Sequence, residues 1–298
     1  MYNGIINIHK EAGYTSHDVV AKMRGILKQK KIGHTGTLDP QATGVLPVCL
    51  GSGTKLCDLL ADRDKEYVAE LLLGVTTDTQ DTTGTVLTER AVDCTEAQVR
   101  EIAAGFVGPY DQVPPMYSAL KVDGKKLYEL ARAGKEVERK ARRVEILELE
   151  ILSIALPVVR MRVACTKGTY IRTLCADIGE RLGCGGTMQR LVRTRVGQFR
   201  LEEAITLAQL ETLRDEGAVE RLVTAVDAVF ADCPALHVGE AYGKLLENGN
   251  PIRPQQTQEG QQYEDGQRVR LYRPDGSFAG LYAYRADKHC YHPVKMFL

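Results

Sequence analysis

Four apolar residues, Val159, Met161, Val163 and Cys165, alternate with Arg160 and Arg162. A period of two over so short a run marks a strand with one face in a core and the other toward water. Gly4–Ile8, Tyr67–Leu73 and Val144–Ile154 read as further strands. Between them lie segments of helical period. Thr15 or Ser16 caps a helix with Val19, Val20, Met23 and Ile26 on one face. Thr95-Glu-Ala-Gln98 is a capping box ahead of Val99, Ile102, Ala103 and Phe106. A helix from about Tyr170 stops at Gly183, and another starts at Thr206 with Gln209 as its capping glutamine. Two interleaved periods place the chain in the α/β (α+β) class. Residues 33–53, rich in Gly, Thr and Pro without a period, read as an ordered loop region. Residues 110–143 read as a polar insertion with a short helix near Tyr128.

After about residue 232 the helical period gives way to short strand-like runs. Arg268–Arg273, then Pro274-Asp-Gly276, then Ser277–Tyr284 reads as a hairpin. This predicts one domain over 1–232 and a small β-barrel module over 233–298.

The 298 residues are 44% apolar and 26% charged, ordinary for a globular protein with real cores. Runs such as Leu71-Leu72-Leu73 are too short for a bilayer. The N-terminus lacks a basic segment followed by an apolar one, so the expected location is the cytoplasm. The eight cysteines show no Cys-x-x-Cys spacing and read as buried, reduced thiols. The formal net charge is zero, but residues 201–298 hold 10 basic against 15 acidic residues, leaving the first 200 net positive. Lys22, Arg24, Lys28, Lys30 and Lys31 form one basic cluster and Lys121 to Arg143 a second. Arg190, Arg193, Arg195 and Arg200 form a third. Such patches are either solvated faces or phosphate-binding surfaces.

Familiar cofactor motifs fail. Gly51-Ser-Gly53-Thr-Lys55 lacks P-loop spacing, and Leu56 stands where a hydroxyl would meet Mg²⁺. Asp78–Gly84 fits a calcium loop poorly, with Thr83 at the invariant-glycine position. There is no His-Glu-x-x-His and no Gly-x-Ser-x-Gly. The expectation is no metal and no cofactor.

What remains is Gly33-His-Thr-Gly-Thr-Leu-Asp39-Pro-Gln-Ala-Thr-Gly-Val-Leu46, one carboxylate on a turn stiffened by Pro40. By its residues alone it is either a structural Asp-Pro turn or a catalytic carboxylate. The segment closely resembles the catalytic motif of the TruB family, the bacterial tRNA pseudouridine(55) synthases. Other segments repeat the resemblance in order: Gly4–Lys10 with Gly13–Ser16, Asp64–Tyr67, Thr77–Asp81, Pro114–Lys121, Lys167–Thr173, and Arg190–Arg193 with Gly197–Phe199. Glu11-Ala12 departs from the family, which usually has Pro after the lysine. The resemblance covers residues 3–232, and the last module resembles a PUA-like RNA-binding barrel.

The resemblance implies the pseudouridine-synthase fold, a central mixed, mainly antiparallel sheet flanked by helices. It implies isomerisation of uridine to pseudouridine in the T-loop of tRNA, with the target base flipped into a pocket. Asp39 becomes the catalytic nucleophile or base, Arg172 its ion-pair partner and Tyr67 the stacking platform. Tyr170 becomes a second pocket tyrosine, and Leu191 an apolar lining residue for which a plain core role competes. His34 is implied to enter the RNA loop. Lys10 and Lys121 read as RNA contacts or local supports, and the basic insertion as an RNA clamp. The implied partner is tRNA, with no membrane, no obligate protein partner and a monomeric state. Two other readings stay open: a tRNA-binding or folding factor with a relic site, and a guide-RNA-dependent relative needing accessory proteins.

Overall fold

The computed structural model describes every residue of the chain except Asp123 and Leu298. One large sheet organises residues 1–200. Its strands among the described residues are β1 (Gly4–Lys10), β2 (Ile32–His34), β3 (Thr43–Leu50), β4 (Lys65–Leu73), β5 (Gly108–Gln112), β6 (Arg142–Ala155), β7 (Val158–Cys165), β8 (Gly186–Val196) and β9 (Phe199–Arg200). The order is β1-β3-β8-β4-β7-β6-β5, with β2 added to β3 and β9 to β8. Within this sheet only the β3–β8 pairing is parallel. The sheet is therefore mixed and mainly antiparallel, as the resemblance implies.

Helices α1 (Ser16–Leu27), α2 (Glu96–Ala104), α3 (Ile171–Arg181) and α4 (Leu207–Asp215) cover it. The caps follow local chemistry. Thr15, Thr95 and Thr206 each close a capping box, with Asp18, Gln98 and Gln209 three residues on. On one part of the sheet Ile171, Leu174 and Ile178 of α3 pack with Ala69, Leu71, Met161 and Val163. Elsewhere Val19, Met23 and Ile26 of α1 and Leu210 of α4 pack with Ile6, Ile8, Leu46 and Val48.

Two stretches depart from expectation. Residues 33–53 are not one loop: Ile32–His34 and Thr43–Leu50 are strands, and the turn lies between them. The β3 residues from Gly44 to Leu50 are all buried, so neither helical nor strand periodicity shows in the sequence. The strand β8 is equally hidden, because Arg190, Arg193 and Arg195 interrupt its apolar pattern. The irregular insertion is narrower than 110–143, since β5 and β6 take its ends. Inside it, Lys121–Val122 pairs with Lys125–Lys126, and a short helix spans Leu127–Arg132.

Beyond residue 234 lies a second, four-stranded sheet, with a short helix at Gly243–Glu247. Its strands β10 (Ala235–His237), β11 (Arg268–Tyr272), β12 (Phe278–Arg285) and β13 (Cys290–Met296) form one sheet in that order. Leu236, Ile252, Val269, Leu271, Tyr282 and Tyr291 make its core. A second cluster joins the module to the large sheet: Phe278, Leu281 and Phe297 pack with Phe230, Ile5 and Val45.

Candidate active site

The turn between β2 and β3 is held from four sides. The Ser16 hydroxyl, at the start of α1, accepts the Leu38 amide at 2.9 Å. The Gly13 amide donates to Pro40 O at 3.0 Å. Lys10, at the end of β1, is fully buried and donates its ammonium protons to the carbonyls of Glu11, Pro40 and Ala42 at 3.1, 3.0 and 2.6 Å. Burial pushes its pKa down to about 8, opposed by the nearby Asp39. Arg193, on β8, reaches the carbonyls of Gly36 and Thr37 at 3.2 and 3.5 Å and that of Val45 at 2.7 Å. Its strand can lie so close because Gly44 faces it at φ +110°; a Cβ there would sit 2.1 Å from Arg193 O.

Asp39 emerges from this scaffold with 40% of its side chain exposed. Arg172, at the second position of α3 and only 6% exposed, meets it with two nitrogens: Nε to Oδ2 at 3.0 Å and Nη2 to Oδ1 at 3.3 Å. Such a fork fixes the carboxylate's plane as well as its place. The guanidinium also donates to Thr79 O at 2.9 Å and Tyr117 O at 2.8 Å, and Nη1 lies 3.5 Å from Asp81 Oδ2. One cation therefore serves two carboxylates. Desolvation raises the Asp39 pKa above the ordinary aspartate value and Asp81 adds to it, while Arg172 and Lys10 pull it back down.

The remaining sequence candidates fall at different depths. Tyr67, on β4, is nearly buried; Arg193 is its neighbour across the β4–β8 ladder, and both Arg193 and Asp39 lie within electrostatic reach of its hydroxyl. Burial raises its pKa despite the arginine. Leu191 packs in the cluster that holds Leu38, Ala42 and Tyr67, directly under the turn. Tyr170 is half-buried at the N-cap of α3, and the buried Gln112 grips its backbone on both sides, N–H at 2.7 Å and C=O at 3.0 Å. His34 ends β2 with its ring edge against His17 at 5.3 Å, and its pKa is lowered by burial and by His17. Lys10 sits beneath the turn with its protons on carbonyls, which fits the local support among its two readings. Lys121 is exposed in the insertion.

Three residues of the site carry no role in the sequence reading. Asp81 closes the Thr77–Asp81 segment; its Oδ1 accepts from Thr79 Oγ1 at 2.8 Å and from the Thr83 amide at 3.0 Å, which aims Oδ2 at Arg172. Gln112 gives no signal beyond standing two residues before the Pro114-Pro115 pair. Arg193 falls in a patch that the sequence offers for phosphate binding, and its burial corrects that reading. Among the described residues no group of three His, Cys, Asp or Glu side chains could hold a metal ion.

Comparison with known proteins agrees with this arrangement. Residues 24–171 match the TruB family pseudouridylate synthase N-terminal domain, and residues 172–231 the tRNA pseudouridylate synthase B C-terminal domain. The division between them falls within the single large sheet. A tRNA pseudouridine synthase B of Lachnoclostridium phytofermentans is 51% identical over 99% of this chain and all of its own length. That of Alkaliphilus oremlandii is 50% identical over 84% of this chain and 83% of its own. Among solved structures, a Cbf5-Nop10-Gar1 complex superposes with a TM-score of 0.75 at 27% identity, covering 99% of this chain and 85% of that one. An Asp39 turn locked to Arg172 on this sheet, together with these matches along nearly the whole chain, places the protein in the TruB family of pseudouridylate synthases.

Proposed function

We propose that the protein isomerises uridine to pseudouridine at position 55, in the T-loop of tRNA, with Asp39 as catalytic nucleophile or base. The observation that carries this is the two-point fork of Arg172 on Asp39. A carboxylate partly withdrawn from water drifts toward its protonated form, which neither attacks nor accepts a proton. The guanidinium opposes that drift and fixes the plane of the carboxylate.

The reaction breaks the N1–C1′ bond, turns the base, and joins C5 to C1′. C5 loses its proton and N1 gains one, so atoms and electrons balance without a redox partner. Asp39 can act at C1′, at C6 or on a sugar proton. The base lies inside a folded loop and must leave its stack first. His34, at the rim, is suited to fill the place it leaves. Tyr67 and Tyr170 offer ring surface to the flipped base, and Leu191 an apolar floor. The exposed lysines of the insertion, with Lys121 among them, supply phosphate contacts. Residues 1–232 form the synthase domain, and the module over 233–298, PUA-like in this reading, adds RNA surface. The chain acts as a cytoplasmic monomer without an obligate protein partner. Among the described residues no helix is long and apolar enough to cross a membrane.

The likeness to a chain crystallised with Nop10 and Gar1 supports a second reading, in which accessory proteins place the RNA. One experiment separates the two. The purified chain is given a T-arm stem-loop carrying [5-³H]uridine, tritium release is followed, and the product is mapped. Release with pseudouridine at position 55 is the expected result. Release only when partner proteins are added favours the second reading, and modification at another uridine defeats the T-loop assignment.

A further inference from the structure

Arg193 is a charged group in an unusual setting. It is 1% exposed, and no carboxylate pairs with it among the described residues. Its donors go to the carbonyls of Val45, Gly36 and Thr37, and Tyr67 is its neighbour across the β4–β8 ladder. A buried guanidinium without a counter-ion is costly to desolvate, and an apolar side chain of similar volume could fill the same space on β8. The stability of the sheet gives no reason for a cation there. The groups it bonds do give one.

Gly36 and Thr37 lead into Asp39 along the chain. Val45 follows the turn on β3, and Tyr67 stands across the sheet on β4. One planar fork therefore ties together both ends of the Asp39 turn, next to Tyr67 in the ladder. Arg172 fixes the carboxylate from the α3 side, through the side chain. Its other bonds go to Thr79, Tyr117 and Asp81, not to the backbone of the turn. The two arginines do separate work.

We propose that Arg193 is a positioning residue for the isomerisation: it sets the distance and orientation of Asp39 relative to Tyr67 by holding both ends of the turn on one rigid guanidinium that lies beside the tyrosine. It does so without touching RNA, being enclosed by β3, β4 and β8. Five donors in a fixed plane can meet three acceptors at set angles, which the single flexible ammonium of lysine cannot do. A misplacement of about 1 Å at a reacting group costs on the order of 100-fold in rate. The inference rests on the proposed synthase activity, so that activity is measured first, on the wild-type chain.

The test compares wild type, Arg193→Lys and Tyr67→Phe on [5-³H]uridine tRNA under single-turnover conditions, with thermal melting and tRNA binding measured on the same samples. Failure of the wild-type chain to release tritium would count against the synthase reading and not against the role of Arg193. With wild type active, Arg193→Lys is expected to fold and to bind tRNA within about threefold of wild type. Its saturated rate is expected to drop about 100-fold. Combined with Tyr67→Phe, it is expected to lose less than the product of the two single losses, because the two side chains are ladder neighbours acting on one geometry. A wild-type rate in Arg193→Lys would overturn the proposal. A loss confined to tRNA binding would overturn it as well, and so would a variant that fails to fold, since either assigns the residue to binding or to stability alone.

Discussion

Two regions of this protein treat the same positive charge in opposite ways. Around the Asp39 turn, Lys10, Arg172 and Arg193 are buried, and every donor that the structure places goes to a carbonyl or a carboxylate inside the protein. In the insertion, Lys121, Lys125, Lys135 and Lys140 are exposed. A buried cation with its donors engaged fixes backbone; an exposed one on a flexible stem is free to meet phosphate. The difference teaches that charge composition alone says little about RNA contact. Depth decides whether a lysine shapes the site or meets the substrate.

The buried half of this comparison is most easily broken at Lys10. Lys10→Met takes the ammonium donor away from the carbonyls of Glu11, Pro40 and Ala42, and stability is expected to fall by about 2 kcal/mol near neutral pH. The difference also has a pH signature. Because the folded pKa is about 8 against an ordinary 10.5, the unfolded chain holds a proton that the folded one has lost between those values. Wild-type stability therefore gains from this lysine as pH rises through that window, and the variant does not share the gain. Urea melts of both proteins from pH 7 to 10.5 should show the gap widening. A gap that narrows would mean the lysine is not buried as described.

The exposed half carries a smaller effect. Replacing Lys125, Lys135 and Lys140 together by Gln should weaken tRNA binding by about tenfold at moderate salt. It should also flatten the salt dependence by about one unit of slope for each phosphate left without its lysine. The weakening should appear in the dissociation constant rather than in the saturated rate. An unchanged salt slope would remove the insertion from the RNA interface.

The same contrast explains what can be read from sequence. Capping boxes are local, so the helix starts at Thr95 and Thr206 are legible to the residue and that at Thr15 to within one. Strands with one wet face, such as β7, announce themselves by alternation. The strands that matter most to the site do not. β3 is buried nearly throughout, and β8 carries arginines at positions that periodicity marks as solvent-facing. Asp39, Arg172 and Tyr67 are legible only through a long resemblance, since a single aspartate before a proline has no chemistry of its own to display. Asp81 and Gln112 stay hidden because they act on other residues rather than on substrate. Their partners, Arg172 and Tyr170, lie far along the chain and meet them only in the fold.

All of these contacts converge on one carboxylate, and Asp39→Asn tests it directly. The substitution keeps the shape of the side chain and removes its charge. Tritium release from [5-³H]uridine tRNA should fall to background, while tRNA binding stays within about threefold of wild type, since the phosphate contacts lie elsewhere. Release at the wild-type rate would show that Asp39 is only the structural turn that its residues, taken alone, also allow.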